Sequence, residues 1–132
     1  MKSCSCGSNK LFEKCCEPFL SGKAKPKTVR QLMRSRYTAY ALGQYGEYLI
    51  GTWHPASAKN LNAADLSMPK YTWLGLEIVD HEQKGDFGKV EFKATFQDGN
   101  GPEEVHHERS IFHRLDGAWL YVEGEVNEAG GR

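Results

Sequence analysis

The sequence has no apolar run approaching the roughly 18–20 residues that a membrane-spanning helix needs, so no membrane is expected. It has no surplus of either charge, with 17 Lys+Arg against 17 Asp+Glu. It contains no repeat, heptad pattern or low-complexity tract, which sets aside solenoids, coiled coils and disordered tails. No apolar stretch follows Lys2, so a secretory leader is not expected and a reducing, cytoplasmic setting is. What remains is 132 residues, 39% hydrophobic, the composition of one globular chain. The zero balance argues against a uniformly basic nucleic-acid binder. It hides an asymmetry, however. Met1–Arg36 holds nine basic residues against Glu13 and Glu17, a surplus of seven, and the remainder carries the opposite surplus. A basic head on an acidic body suits an acidic partner surface, or a head folded back on its own sheet.

Cysteine is confined to one place. Cys4, Cys6, Cys15 and Cys16 all fall within the first sixteen residues. In a reducing compartment structural disulfides are rare, so four crowded thiols read best as a closed tetrahedral zinc site. Two disulfides, or four ordinary thiols, are the alternatives. The stretch Cys4-Ser5-Cys6-Gly7-Ser8-Asn9-Lys10-Leu11-Phe12-Glu13-Lys14-Cys15-Cys16 resembles the SEC-C motif, a short zinc-binding module. It departs from that pattern at Asn9, where the motif has glycine; asparagine tolerates positive φ best among the other residues, so the turn is expected to survive. The resemblance implies a structural zinc, filled by protein on all four sides, and docking to a protein or ribosome-associated partner.

Beyond the head, Pro18–Lys27 reads as a linker. Thr28 is placed to cap a helix whose apolar positions run from Val29 to Ala41, with Gly43 as its stop. Short helices are expected over Tyr45–Ile50 and after Asn62. From Tyr71 the period changes to two. Tyr71–His81 alternates with Leu74, Leu76 and Ile78 on one side, and Val90, Phe92, Ala94 and Phe96 share a face of the next strand. Glu103–Leu115 and Ala118–Glu123 meet at Asp116-Gly117, a two-residue hairpin signal. If Leu115 pairs with Ala118, Phe112 faces Tyr121 and Ser110 faces Glu123. Pattern alone leaves open which face of this hairpin meets the helices. The class is α+β, helices covering one face of an antiparallel sheet.

Four blocks, Leu32–Tyr40, Tyr48–Pro55, His107–Phe112 and Asp116–Gly124, are similar to the YchJ-like family, in which a SEC-C motif precedes an NTF2-like cone. The resemblance implies residues 1–22 as the motif and 28–126 as the cone, and carries no assigned activity. Asn127–Arg132 holds no cysteine, so a single, N-terminal copy of the motif is expected. Arg36, Tyr37, Tyr40, Trp53 and His54 are expected to line the cone, facing Glu108, Ser110, Phe112 and Tyr121 of the sheet. NTF2-like cones host proton-transfer enzymes, so His54 with Glu108 is a candidate acid–base pair for a lyase, isomerase or hydrolase. The plainer reading is that His54 braces the turn before Pro55 and Trp53 is core. His106 and His107 point to opposite faces and cannot chelate together. Arg34-Ser35-Arg36 reads as a solvated helix edge or a salt bridge to the acidic sheet rather than an anion clamp, and Glu103–Glu108 as a solvated, charge-protected edge strand. The leading expectation is a zinc-containing binding module, with a small ligand in the cone and a homodimer both compatible with it; no nucleophile–base set stands out.

Overall fold

The structure, a computed structural model, describes residues 3–68 and 70–126; Asn127–Arg132 lie outside them. The head is a tight loop closed by its own backbone. Cys4 N–H donates to Lys10 O at 2.7 Å, and Ser3 bridges Leu11. The turn between the first two cysteines and Lys10 needs positive φ twice, at Gly7 (+81°) and at Asn9 (+69°), so asparagine does take the glycine conformation. A 3₁₀ turn over Phe12–Lys14 follows, then helix α1, Glu17–Leu20. The linker expected from Pro18 onward therefore begins as helix. Proline is at home in a first turn, where its missing N–H would be unpaired anyway, and Leu20 is buried.

Helix α2, Val29–Leu42, starts where Thr28 Oγ1 accepts Gln31 N–H at 3.1 Å and stops at Gly43, φ +75°. It is covered on most of its circumference: Val29, Leu32, Met33, Ser35, Arg36, Tyr37, Thr38 and Ala39 are all buried. The reason is position, since the head packs on one side and the sheet on another. Helix α3, Gly46–Gly51, and helix α4, Ala63–Ser67, complete the helical half. Asn62 caps α4 by accepting Asp65 N–H at 2.8 Å.

Strands β1 (Thr72–Lys84), β2 (Phe87–Gln97), β3 (Glu103–Leu115) and β4 (Ala118–Val126) form one antiparallel sheet in sequence order. Val90, Phe92, Ala94, Phe112 and Trp119 face the helices and are buried, which settles the face of the hairpin. Cys4, Cys6, Cys16 and Leu20 join the same core as Leu32, Leu49 and Phe112. Fully burying side chains of that size contributes about 1.5–3 kcal/mol each before entropy is counted. Among the described residues no helix is long and apolar enough to cross a membrane.

Three strand expectations need correction, two of them through bulges. An irregularity between Trp73 and Gly75 puts Leu74 out of phase, leaving it exposed while Leu76 and Ile78 pack inward. A second, between Ile111 and Phe112, makes Val122 an extra residue. Phe112 faces Tyr121 as expected, but Ser110 then faces Gly124 rather than Glu123. A bulge gives two residues on one strand for one on its partner, which pattern alone does not show. Strand β3 is also central rather than an edge, with Glu108 buried.

Candidate metal centre and ligand cone

The four cysteine sulfurs lie within 4.8 Å of one another. Cys6 Sγ is 3.6 Å from Cys15 Sγ, which is 4.0 Å from Cys16 Sγ. Tetrahedral Zn–S bonds place neighbouring sulfurs about 3.8 Å apart, so the donor set fits a metal ion of that size. No S–S bond joins the cysteines. Cys4, Cys6 and Cys16 are buried, and Cys15 is half-exposed.

Protons are held unequally across this cluster. A hydrogen bond from Cys16 pulls the Cys6 thiol down to about 4, against the opposing effect of burial. The same bond, helped by burial, pushes Cys16 up. A divalent cation would relieve the crowding of negative charge on four thiolates. Around the sulfurs stands a polar ring that spacing did not reveal. Thr38 Oγ1 donates to Cys16 Sγ at 3.3 Å and lies 3.7 Å from Cys4 Sγ. Ser8 Oγ lies 3.1 Å from Cys15 Sγ, and Arg34 Nη1 donates to Cys6 O at 2.7 Å. Groups at this distance orient ligands and tune the metal. A lone threonine inside a helix gives no sequence signal of such a role.

A cavity of about 390 Å³ opens between α2 and the inner face of the sheet. One part is aromatic, with Tyr71 against Phe96 at 4.6 Å, Trp73 against Phe96 at 5.3 Å, and Tyr37 edge-on to Trp73 at 6.0 Å between ring centres. The other part is polar. Glu108 Oε1 lies 2.8 Å from His106 Nε2, while Oε2 accepts Ser110 Oγ at 2.7 Å and Tyr121 Oη at 2.8 Å. Burial alone would raise the Glu108 carboxyl, but these three partners together hold it below the usual range. The Tyr121 phenol is pushed up in turn, by burial first and by Glu108 second. Room for the carboxylate comes from Gly124, where a Cβ would run into Glu108 and crowd the Tyr121 hydroxyl.

Arg36 lies beside this network with 3% of its surface exposed. Its Nη1 donates to Leu49 O at 2.9 Å and Thr52 Oγ1 at 2.8 Å. The guanidinium carbon sits 4.6 Å from the Trp53 ring centre and 4.8 Å from that of Tyr121. Burial pulls its pKa downward, and the nearby Tyr40 and Tyr121 act against that pull. The solvated helix edge expected for Arg34-Ser35-Arg36 thus keeps only Arg34, which is half-exposed, while Arg36 is enclosed. Ser35 is also buried, 2.6 Å from the Tyr48 hydroxyl, because α2 is enclosed on that side.

Of the residues expected in the cone, Arg36, Tyr37, Tyr40, Trp53, Glu108, Ser110 and Tyr121 line the cavity. Phe112 does not; it is fully buried behind Tyr121, ring centres 5.8 Å apart. His54 does not reach Glu108 either. Its backbone N–H donates to Tyr121 O at 2.7 Å, its Nδ1 accepts Ala56 N–H at 3.2 Å, and its ring meets that of His113. Trp53 and His54 are consecutive in a segment that bridges β4, so they point opposite ways, and the cavity receives the tryptophan. The histidine that does meet Glu108 is His106. Their spacing of two on a strand was the available clue, since such residues share a face.

Fold and site together define an NTF2-like cone behind a SEC-C cysteine head. The model of the YchJ middle NTF2-like domain matches residues 28–124, and the chain belongs to that family. It is 41% identical to a UPF0225 protein of Serratia proteamaculans, over 96% of this chain and 85% of that one. The solution structure of a SEC-C motif containing protein from Rhodopseudomonas palustris superposes with a TM-score of 0.87 at 38% identity, covering 96% of this chain and 99% of that one. A crystal structure of a SEC-C motif containing protein from Psychrobacter arcticus gives 0.80 at 27% identity, covering 96% and 84%.

Proposed function

We propose that this is a zinc-stapled binding protein of the cytoplasm whose cone holds a small, flat, largely apolar ligand. The observation that carries the reading is the cavity itself: about 390 Å³ walled by aromatic rings, with a few convergent polar groups at one part. That combination is the usual anatomy of a small-molecule site. Zinc is the metal best suited to four closely spaced thiolates with no open position, which gives it a structural role. Unbonded thiols favour a reducing compartment. Two measurements test the reading. Metal analysis of the reduced protein is expected to give one zinc per chain, and less than half an equivalent overturns that assignment. Titration with small aromatic molecules, followed by fluorescence of Trp53 and Trp73, is expected to saturate. The cavity-filling change Ala94→Phe should abolish that response, and non-saturating behaviour with every probe overturns the cone reading.

A second reading rests on a different observation. A groove of about 770 Å³ runs between the head and the start of α2, lined by Lys10, Lys14, Arg30 and Arg34, with Glu82 as its carboxylate. Such a surface suits an acidic face of a protein or ribonucleoprotein partner. Charge reversal at Lys14 and Arg30 tests it without disturbing the buried cysteines. Recovery of the same partners by parent and variant in a pull-down overturns docking through this groove.

A further inference from the structure

We infer that the cone selects a flat aromatic ligand that carries an anionic oxygen group, received by Arg36. This deepens the cone reading and rests on it. The argument begins with what each polar group in the cavity still has to offer. Glu108 is committed, both oxygens being held by His106, Ser110 and Tyr121. It faces a ligand as a carboxylate already satisfied by its own neighbours.

Arg36 is in the opposite position. It is 3% exposed, lines the cavity, and among the described residues no carboxylate oxygen lies within 4.0 Å of its guanidinium. Its bonds to Leu49 O and Thr52 Oγ1 both leave from Nη1 and Tyr40 is a further hydrogen-bonding neighbour, so a ligand would meet the part of the donor fork these leave open. Glu108 acts on this buried charge only from beyond contact distance, and an arginine fork matches a carboxylate or sulfonate in two parallel bonds. The rings of Trp53 and Tyr121 hold the group in place before any ligand arrives, so little order is lost on binding. The unspent polar capacity of the cone is therefore of donor type, beside an aromatic wall formed by Tyr71, Trp73 and Phe96.

The test uses two fluorescent dyes that differ by one sulfonate, anilinonaphthalene sulfonate and the neutral N-phenylnaphthylamine, titrated into full-length zinc-loaded protein. The anionic dye is expected to bind about tenfold tighter, the worth of one charge-assisted hydrogen-bonded pair. Arg36→Met should remove that preference, bringing the two dyes' affinities to within about twofold of each other. A variant that loosened the core would bind both dyes more strongly, so the ratio of affinities is the readout, and the comparison on the parent chain needs no variant at all. Neutral dye binding as tightly as the anion to the parent overturns the inference while leaving the cone reading intact. Loss of the anion preference in Lys14→Glu with Arg30→Glu, rather than in Arg36→Met, overturns it by placing the anion in the basic groove. Failure of both dyes to saturate overturns the cone reading and this inference together.

Discussion

Thr38 Oγ1 donates to Cys16 Sγ at 3.3 Å, joining two residues 22 positions apart. Thr38 stands on the helix that also carries Arg36, Tyr37 and Tyr40 into the cone, so cysteine head and cavity share a structural element. The buried cysteines belong to the same core as Leu32, Leu49 and Phe112. The head is thus part of the folding unit and not an appendage on a tether.

Metal removal should therefore be felt throughout the chain. Chelation under reducing conditions is expected to give one cooperative transition lowered by about 10 °C or more, since structural zinc contributes several kcal/mol to folding. Calorimetry with and without chelator checks this. An unchanged body transition after complete zinc loss would show that head and cone are independent.

Replacing Thr38 by valine keeps the volume and removes the hydroxyl. The expected cost is about 1–2 kcal/mol of stability, with roughly tenfold weaker zinc retention because an outer hydrogen bond to a ligand is lost. Urea unfolding and competition with a zinc indicator measure the two effects separately. Loss of stability with unchanged zinc affinity would mean that the contact serves packing alone.

Gly124→Ala should displace the Glu108 carboxylate, because the added methyl enters the space its oxygens occupy. The neighbouring ring of Tyr121 restricts relief, so overpacking is expected to cost about 1–3 kcal/mol. Changes in the environment of Trp53 and Tyr121, read by near-ultraviolet circular dichroism, should accompany it. A variant as stable as the parent would show that β4 can shift aside.

Acid sensitivity follows from the Glu108 network. Its folded-state carboxyl lies below the ordinary value near 4.3, so it adds stability above that value and loses it as pH falls through the folded one. Denaturant midpoints between about pH 6 and pH 3 should fall less steeply in Glu108→Gln than in the parent. The alkaline side has the reverse sign. Burial pushes Tyr37 and Tyr48 up to about 12, so both favour the folded state below the ordinary phenol value and stop doing so as pH rises through about 12. Tyrosinate absorbance that developed fully near pH 10 in folded protein would contradict this.

Much of this architecture was readable before any coordinates. The cysteine spacing pointed to a cluster that could hold a metal ion because thiolate chemistry is local and four donors lay within sixteen residues. Thr28, Gly43, Asn62 and Asp116-Gly117 marked element ends because caps and tight turns depend on single residues. What escaped depends on distance along the chain. Burial of Arg36 arises from Leu49, Thr52, Trp53 and Tyr121, and none of these contacts shows in the charge pattern of its own helix. His54 was the more conspicuous histidine, yet the parity of its segment turns it away from the cavity. Bulges escaped for a related reason, since a slipped register leaves each strand's own alternation intact.

The extra residue at Val122 works as a phase shifter for the end of β4. Upstream of it, odd-numbered positions such as Trp119 and Tyr121 point inward; at the strand's end, the position opposite Ser110 is even-numbered, and it is a glycine. A register in which Val122 paired with Ile111, with no residue bulged out, would restore strict alternation and bring Glu123 into that position. A second carboxylate would then arrive beside Glu108, in space that only a hydrogen atom now fills. A slip of one register position beyond Tyr121 would thus rewrite the charge of the cone while every side chain that now lines it stayed the same.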